Sequence, residues 1–299
     1  MPVTLNASYD FPVGNAAGWC KSVAEVQALA KSAASFIVVG SITLKPRDGN
    51  PGNVFNQDLF GGLNALGLPN PGIPYIAEHG REMTRIAHDA GKPIIMSAAG
   101  LAPAEFGELA QTAHKTGFDG VELNTGCPNV ADGGKRKPII SYRPGLVLAS
   151  LESVFSRIRC APHWFVSVKV SPMDPDRLNE IAAIIEKFEV SAVVTQNAEP
   201  NCLDYRADGK PVIDTPDKIG YAGGSGESIF HKALGQVKQW RECLPEHIET
   251  WGVGGVSSGF HVQKMQWAGA RIMQVGTAYF IGGAKVFGEI ANQYVNLEG

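Results

Sequence analysis

Short runs of β-branched and aromatic residues alternate with amphipathic stretches along the 299-residue chain. A short apolar run between turn residues is typical of a buried strand, and apolar residues repeated every three or four positions are typical of a helix. Strands that alternate with helices predict βαβ units around a parallel sheet. The pattern predicts eight strands, over Phe11–Ala16, Phe36–Ser41, Pro93–Ala98, Gly120–Asn124, Phe165–Val170, Ser191–Gln196, Ile248–Val253 and Arg271–Val275.

Eight such units predict an α/β fold, a (β/α)8 TIM barrel formed as a single domain by residues 1–299. A doubly wound nucleotide-binding fold would carry a G-x-G-x-x-G motif after its first strand, and this chain has none there. Two segments, Thr43–Pro74 and Asn197–Glu227, are too long to be plain connections. We expect these inserted loops to build or cover a site at the C-terminal face of the barrel.

Composition and charge narrow the possible partners. The chain has 26 Lys and Arg against 29 Asp and Glu, a net charge of −3, so no broad positive field is available to hold a nucleic acid. No apolar run reaches the about 18 residues of a membrane-spanning helix. No basic residue precedes Lys21, whereas a signal peptide starts with basic residues. We therefore expect a cytoplasmic protein that binds neither nucleic acid nor membrane.

The cysteines and histidines do not have metal-site spacing. The chain contains no C-x-x-C pair and no H-x-x-x-H or H-E-x-x-H motif. We therefore predict no metal site and no disulfide framework. The free thiols would be Cys20, Cys127, Cys160, Cys202 and Cys243.

Glycine pairs follow the last two predicted strands. In a barrel, residues just past the C-terminal ends of the strands converge on one face, and exposed backbone N–H groups there can hold a phosphate. Either pair alone could serve only to turn a strand into a helix, but both together favour a phosphorylated ligand. The pairs are Gly254-Gly255 and Gly276-Thr277.

Three kinds of side chain at the same face carry candidate chemistry. Cys127 follows the fourth strand in an irregular loop, which suits a catalytic thiolate or base. Lys169 ends an apolar strand, so its ammonium group needs an anionic or carbonyl partner in the barrel mouth; a salt bridge to a neighbouring acid is the alternative. Side-chain amides suit a planar amide or carboxylate ligand. Such amides are supplied by Asn64, Asn124, Asn129 and Asn197.

These residues resemble the dihydroorotate dehydrogenase family, and within it the soluble class 1A enzymes. The similarity covers nearly the whole chain, and the matching segments are jointly specific. They are Asn15–Gly18, Leu44–Pro51, Leu63–Asn70, Glu122–Asn124, Cys127–Val130, Val168–Lys169, Gly254–Val256 and Gln274–Thr277.

The resemblance implies FMN as cofactor and assigns residues to it and to the substrate. The phosphate of FMN would be held by Gly254, Gly255, Gly276 and Thr277, and the remainder by Ala17, Gly18, Ser41, Asn124, Lys169 and Gly226. The substrate would be held by Asn64, Leu66, Gly67, Leu68, Asn124, Asn129 and Asn197.

The activity that the resemblance implies is oxidation of (S)-dihydroorotate to orotate in de novo pyrimidine (UMP) biosynthesis. Cys127 would be the base, flavin N5 the hydride acceptor and fumarate the oxidant that regenerates the flavin. Because a free thiol has a pKa of about 8.5, either the surroundings lower this pKa or the enzyme works best at mildly alkaline pH. Class 1A enzymes are homodimers, so we expect one here.

The chain departs from the family pattern at three places. Gly40 precedes Ser41 where the family has a lysine that contacts flavin and substrate carboxylate. Losing that charge-assisted hydrogen bond would cost about 1.5–3 kcal/mol of binding free energy. Lys45 lies five residues on and is expected to point elsewhere. The segment Ala131–Arg136 is longer than in the family, and Ala198 lacks the hydroxyl usual there.

Three interpretations therefore stay open. The first is an FMN-dependent oxidoreductase of dihydroorotate, or of another planar dihydropyrimidine or cyclic amide if Gly40 has changed the specificity. The second is a lyase that forms a Schiff base between Lys169 and a phosphorylated sugar. The third is a paralogue that binds FMN without turnover.

Overall fold

The predicted strands form one parallel eight-stranded sheet that curls into a barrel. The structure is a computed structural model that describes residue 5 and residues 10–57, 61–132, 135–158 and 164–298. Each strand begins and ends within two residues of its predicted limits. The barrel strands are β1 (Val13–Asn15), β2 (Ile37–Ile42), β3 (Ile94–Ala98), β4 (Gly120–Asn124), β5 (Phe165–Lys169), β6 (Ala192–Val194), β7 (Glu249–Val253) and β8 (Ile272–Val275).

Neighbours in the sheet are also neighbours in the sequence. The order is β1-β8-β7-β6-β5-β4-β3-β2, neighbouring strands in this order are parallel, and β1 packs against β2 where the sheet closes on itself. Parallel strands need crossover connections, and helices supply them here. The predicted (β/α)8 TIM barrel is therefore confirmed.

The helix after β1 begins at a local capping signal. Ser22 accepts a hydrogen bond from the backbone N–H of Glu25 while Glu25 bonds back to Ser22, which is the capping box expected before an amphipathic helix. No helix in the described ranges is both long enough and apolar enough to cross a membrane. The α-helices are α1 (Val23–Ala30), α2 (Gly72–Asp89), α3 (Pro103–Lys115), α4 (Pro144–Arg157), α5 (Pro175–Ile185), α6 (Phe230–Cys243), α7 (Gly259–Trp267), α8 (Thr277–Gly282) and α9 (Val286–Glu298).

The barrel strands are buried on both faces, which explains why they are almost continuously apolar. Their outer faces pack against the helices in one large cluster, and their inner faces form a second, smaller one. Inside the barrel the ring of Trp251 stacks on Phe165, with 5.0 Å between centroids, and lies 5.3 Å from Phe36. The interior is therefore a packed core.

The two long inserted segments pair with each other in a second, antiparallel sheet. Its strands run in the order Glu199–Cys202, Ala222–Ser225, Gly62–Asn64 and Phe55–Gln57. Gly223 lies opposite Asn64, so the segments are joined directly. Residues of both segments line the cavity described below, which confirms the prediction that they build a site.

Candidate active site

A cavity of about 310 Å³ opens at the C-terminal ends of the barrel strands. This is the face where the fold brings together residues from different strands. Every site residue named in the sequence analysis lines it, whichever ligand it was assigned to. These residues are Ala17, Gly18, Ser41, Asn64, Leu66, Gly67, Leu68, Asn124, Cys127, Asn129, Lys169, Asn197, Gly226, Gly254, Gly255, Gly276 and Thr277.

The first glycine pair, Gly254 and Gly255, is called the glycine cradle below, and it packs too closely against α6 to carry side chains. Gly254 and Gly255 have φ angles of +111° and +76°, in the region that favours glycine. A Cβ atom on either residue would lie 2.8 Å from a carbon of Ala233 or Phe230. Only bare backbone fits here, and bare backbone can approach an anionic group closely.

Lys169 takes part in a buried polar network behind the cavity wall. Its Nζ donates to Oε1 of Gln274 at 2.9 Å and lies 3.8 Å from Oε1 of Glu122. Gln274 in turn donates to Glu122 at 2.6 Å. Burial lowers the pKa of Lys169, and the carboxylate of Glu122 opposes that shift. The predicted alternative, a salt bridge, is thus formed, and Lys169 lines the cavity as well.

The asparagines hold one another in place across the cavity. Asn197 donates its amide to Oδ1 of Asn124 at 3.0 Å, and Asn124 donates to Oγ of Ser41 at 2.8 Å. Asn129 donates to the backbone carbonyl of Asn64 at 2.7 Å. The Ser41 hydroxyl of β2 and amide groups from β4, from the segments after β4 and β6 and from the inserted sheet therefore hold one another in fixed positions.

The loop that carries Cys127 is fastened to the end of β5. Thr125 donates its hydroxyl to the carbonyl of Lys169 at 2.9 Å, and Ser171 donates to the carbonyl of Gly126 at 2.6 Å. Burial raises the pKa of the Cys127 thiol, while the N–H of Asn129 and the nearby cations partly oppose the rise. Of the two possibilities stated for this thiol, a pKa lowered by its surroundings is not found here.

Lys21 lines the cavity and was missed by the sequence analysis. Its Nζ donates to the carbonyl of Pro69 at 2.6 Å, and burial lowers its pKa against the opposing charges of Glu25 and Cys127. The available signal was its position in the loop after β1, three residues beyond Gly18. A cation is therefore present in the cavity although Gly40 replaces the family lysine.

The backbone at Gly40 leaves no room for a side chain. Gly40 has a φ angle of +124°, and a Cβ there would lie 2.5 Å from the carbonyl oxygen of Ser97. The backbone of this chain therefore excludes a lysine side chain at position 40. Lys45 is exposed and does not line the cavity, which confirms the expectation that it points elsewhere.

Gln196 is a second residue that was missed. It follows β6, is fully buried and lines the cavity. Neither its Nε2 nor its Oε1 has a hydrogen-bond partner within the structure. Buried amides rarely lack hydrogen-bond partners, so the amide of Gln196 indicates that this cavity takes a polar ligand.

Arg136 ties the segment after Asn129 to the second inserted segment. Residues 131–132 and 135–136 pair as a short hairpin, and residues 133 and 134 lie outside the described part. The guanidinium of Arg136 lies 3.8 Å from Oδ2 of Asp217, donates to the carbonyl of Tyr221 and sits 5.8 Å from the centre of its ring. This hairpin is therefore held against the inserted segment beside the cavity.

Four of the five cysteines are free thiols: Cys20, Cys127, Cys202 and Cys243. Cys160 lies outside the described residues. Of these four, Cys127 lines the cavity.

Comparison with known proteins identifies the family. The family model described as dihydroorotate dehydrogenase matches residues 3–297. The chain belongs to the dihydroorotate dehydrogenase family. It is accordingly an oxidoreductase, which argues against the Schiff-base lyase.

Relatives and solved structures agree with this family. The chain is 31% identical to the dihydroorotate dehydrogenase (fumarate) of Saccharomyces cerevisiae, over 97% of this chain and 90% of that protein. It is 29% identical to the protein of the same name from Lachancea kluyveri, over 98% and 91%. The predicted resemblance to the fumarate-dependent class is thus confirmed. A DHODH structure from Eimeria tenella, in complex with ferulenol, superposes with a TM-score of 0.80 at 16% identity, over 99% of this chain and 87% of that one, which shows the shared fold.

Proposed function

We propose that this protein is an FMN-dependent dihydroorotate dehydrogenase that converts (S)-dihydroorotate to orotate in de novo pyrimidine (UMP) biosynthesis. The observation that carries the proposal is one cavity that joins a thiol, two lysines and four asparagines to a glycine cradle. The names of the relatives from S. cerevisiae and L. kluyveri support dihydroorotate as donor and fumarate as acceptor. We extend the proposal to a cytoplasmic homodimer, since class 1A enzymes are homodimers.

The residues present fit FMN. The cradle at Gly254 and Gly255 suits a phosphate, and a Cβ on Gly18 would meet no atom within 4 Å, so the cavity is open along this backbone. The unpartnered amide of Gln196 has both a donor and an acceptor to offer. Gly276 and Thr277 complete the phosphate site, and the remaining contacts come from Ala17, Gly18, Ser41, Asn124, Lys169 and Gly226.

When bound, FMN would accept hydride at its N5 and pass the electrons to fumarate. The protein's own part is to bind, orient and deprotonate the substrate. Asn64, Asn124, Asn129 and Asn197 supply amides that match the imide edge and carboxylate of a dihydropyrimidine, and Leu66–Leu68 cover its ring. Sγ of Cys127, as thiolate, takes the proton from the carbon adjacent to the ring carbonyl.

Lys21 supplies the cation for the substrate carboxylate in this proposal. Gly40 cannot be replaced by lysine on this backbone, whereas the Lys21 ammonium is already in the cavity wall and is electrostatically coupled to Cys127. The ammonium group has three N–H donors. One of them bonds to the carbonyl of Pro69, so two remain for a carboxylate. A charge-assisted bond of this kind replaces the one lost at Gly40.

A second candidate is an FMN oxidoreductase of a different planar dihydropyrimidine or cyclic amide. Two departures from the family favour it: Ala198 lines the cavity without the usual hydroxyl, and Gly40, next to the lining residue Ser41, brings no side chain to it.

Anaerobic absorbance spectra of the purified protein separate these functions. We expect dihydroorotate to bleach the flavin band and fumarate to restore it. A flavin band that resists dihydroorotate but is bleached by another dihydropyrimidine would support the second candidate. A band that resists every reductant of this class would leave the non-catalytic paralogue, and a protein that takes up no FMN would overturn both proposals. Light scattering tests the dimer.

A further inference from the structure

Gln196 carries a buried amide that has no hydrogen-bond partner among the residues that the structure describes. The residue is fully buried, it lines the cavity, and both Nε2 and Oε1 lack a hydrogen bond. Burying an amide this way destabilises the protein unless a ligand pairs with it, so the position needs a functional explanation.

The place of Gln196 along the cavity indicates which part of a ligand it meets. It follows β6, which pairs with β5 on one side and β7 on the other. β5 ends at Lys169, and β7 leads into the cradle, where a Cβ on Gly254 would lie 3.1 Å from Cγ of Gln196. Gln196 therefore stands between the lysine and the phosphate cradle.

A ligand group that satisfies a whole amide must both donate and accept hydrogen bonds. Hydroxyl groups do so, and in FMN a hydroxylated chain joins the ring to the phosphate. We propose that Gln196 binds the hydroxyls of this chain, so that the site selects flavin phosphates by their polyol as well as by ring and phosphate. The inference rests on the proposed function, because it takes FMN as the ligand.

Equilibrium binding to the apoprotein tests the inference without turnover. FMN is compared with an analogue whose chain is a phosphorylated pentyl group without hydroxyls, and both are titrated by flavin fluorescence. Gln196→Met keeps the side-chain length and removes the amide. Gln27→Met, at an exposed position of α1, is the matched control.

We expect Gln196→Met to weaken FMN binding about tenfold and to leave binding of the analogue unchanged within about twofold. The unaltered protein should prefer FMN over the analogue by a similar factor, a comparison that holds even if the variant does not fold. Equal losses for both ligands, or no loss for FMN, would overturn the role of Gln196 while the proposed function stands. An unaltered protein that binds neither ligand would overturn both.

Discussion

Asn129 donates its side-chain amide to the backbone carbonyl of Asn64 at 2.7 Å. This bond joins the loop that carries Cys127 to the inserted sheet, although the two residues are 65 positions apart. The side-chain amide of Asn64 also donates to the carbonyl of Gly223 at 3.2 Å. Three separate parts of the chain therefore meet at Asn64. The proposed base is therefore positioned by the inserted sheet as well as by the end of the barrel strand β5.

Cys127→Ala should slow reduction of bound flavin by dihydroorotate about 10²- to 10⁴-fold, because the proposed general base is removed. FMN should remain bound, since the glycine cradle is unchanged. Anaerobic stopped-flow absorbance measures the rate. Cys243→Ala is the control at a cysteine outside the cavity, and an unchanged rate in Cys127→Ala would contradict the assignment.

The rate of flavin reduction should rise with pH and keep rising beyond about pH 8.5, the ordinary pKa of a free thiol. Burial raises the pKa of Cys127, and the base must be deprotonated to act, so activity appears only as pH passes this raised value. A pH profile of single-turnover reduction checks this. A plateau reached below pH 8 would mean that the reacting group is not this thiol in this environment.

Lys21→Met should raise the KM for dihydroorotate about ten- to a hundredfold and also move the pH profile to higher pH. The first effect follows from loss of a charge-assisted bond to the carboxylate. The second follows because the Lys21 charge lowers the pKa of Cys127. Lys45→Met is the matched control, since Lys45 is exposed and lies off the cavity. A KM unchanged in Lys21→Met would exclude Lys21 as the carboxylate partner.

Gly40→Ala should lower the free energy of unfolding by about 1–3 kcal/mol. The new Cβ would lie 2.5 Å from the carbonyl of Ser97, on a residue whose φ angle is +124°. Gly235→Ala provides the contrast, because a Cβ there meets nothing within 4 Å and alanine favours the helix α6. In guanidinium unfolding, the two substitutions should move the midpoint in opposite directions, down for Gly40→Ala and up for Gly235→Ala. Equal midpoints would show that the backbone at Gly40 relaxes.

Arg136→Met should increase proteolytic cleavage near residues 131–136 by roughly fivefold, as expected for losing a half-buried ion pair contributing about 1 kcal/mol. The rate of this cleavage should also depend less on salt concentration, because the ion pair with Asp217, which salt screens, is then absent. Limited proteolysis followed by mass spectrometry locates and times the cut. Arg206→Met should not change the cleavage rate, because Arg206 lies in the inserted segment that contains Asp217 but is paired with Asp208.

The barrel could be predicted because its strands are buried on both faces and are therefore apolar without interruption. Gly120–Asn124 was predicted to the residue, and the weakest limits were at β1 and β6, where the hydrogen-bonded core is only three residues long. The strands of the inserted sheet could not be predicted in the same way. Glu199–Cys202 and Gly62–Asn64 are short and partly polar, and their pairing depends on partners far away in the sequence.

The eight-unit barrel and the residue types at the strand ends could be predicted from local patterns alone, because burial and strand-end position each leave such a pattern in the chain. The resemblance then assigned those residues to flavin and substrate. Only the tertiary structure showed that Lys21 reaches the cavity, that Gly40 has no space for a side chain, and that the amide of Gln196 is unpartnered. These three facts depend on distances between segments that are brought together by folding, and no local pattern of residues encodes such distances.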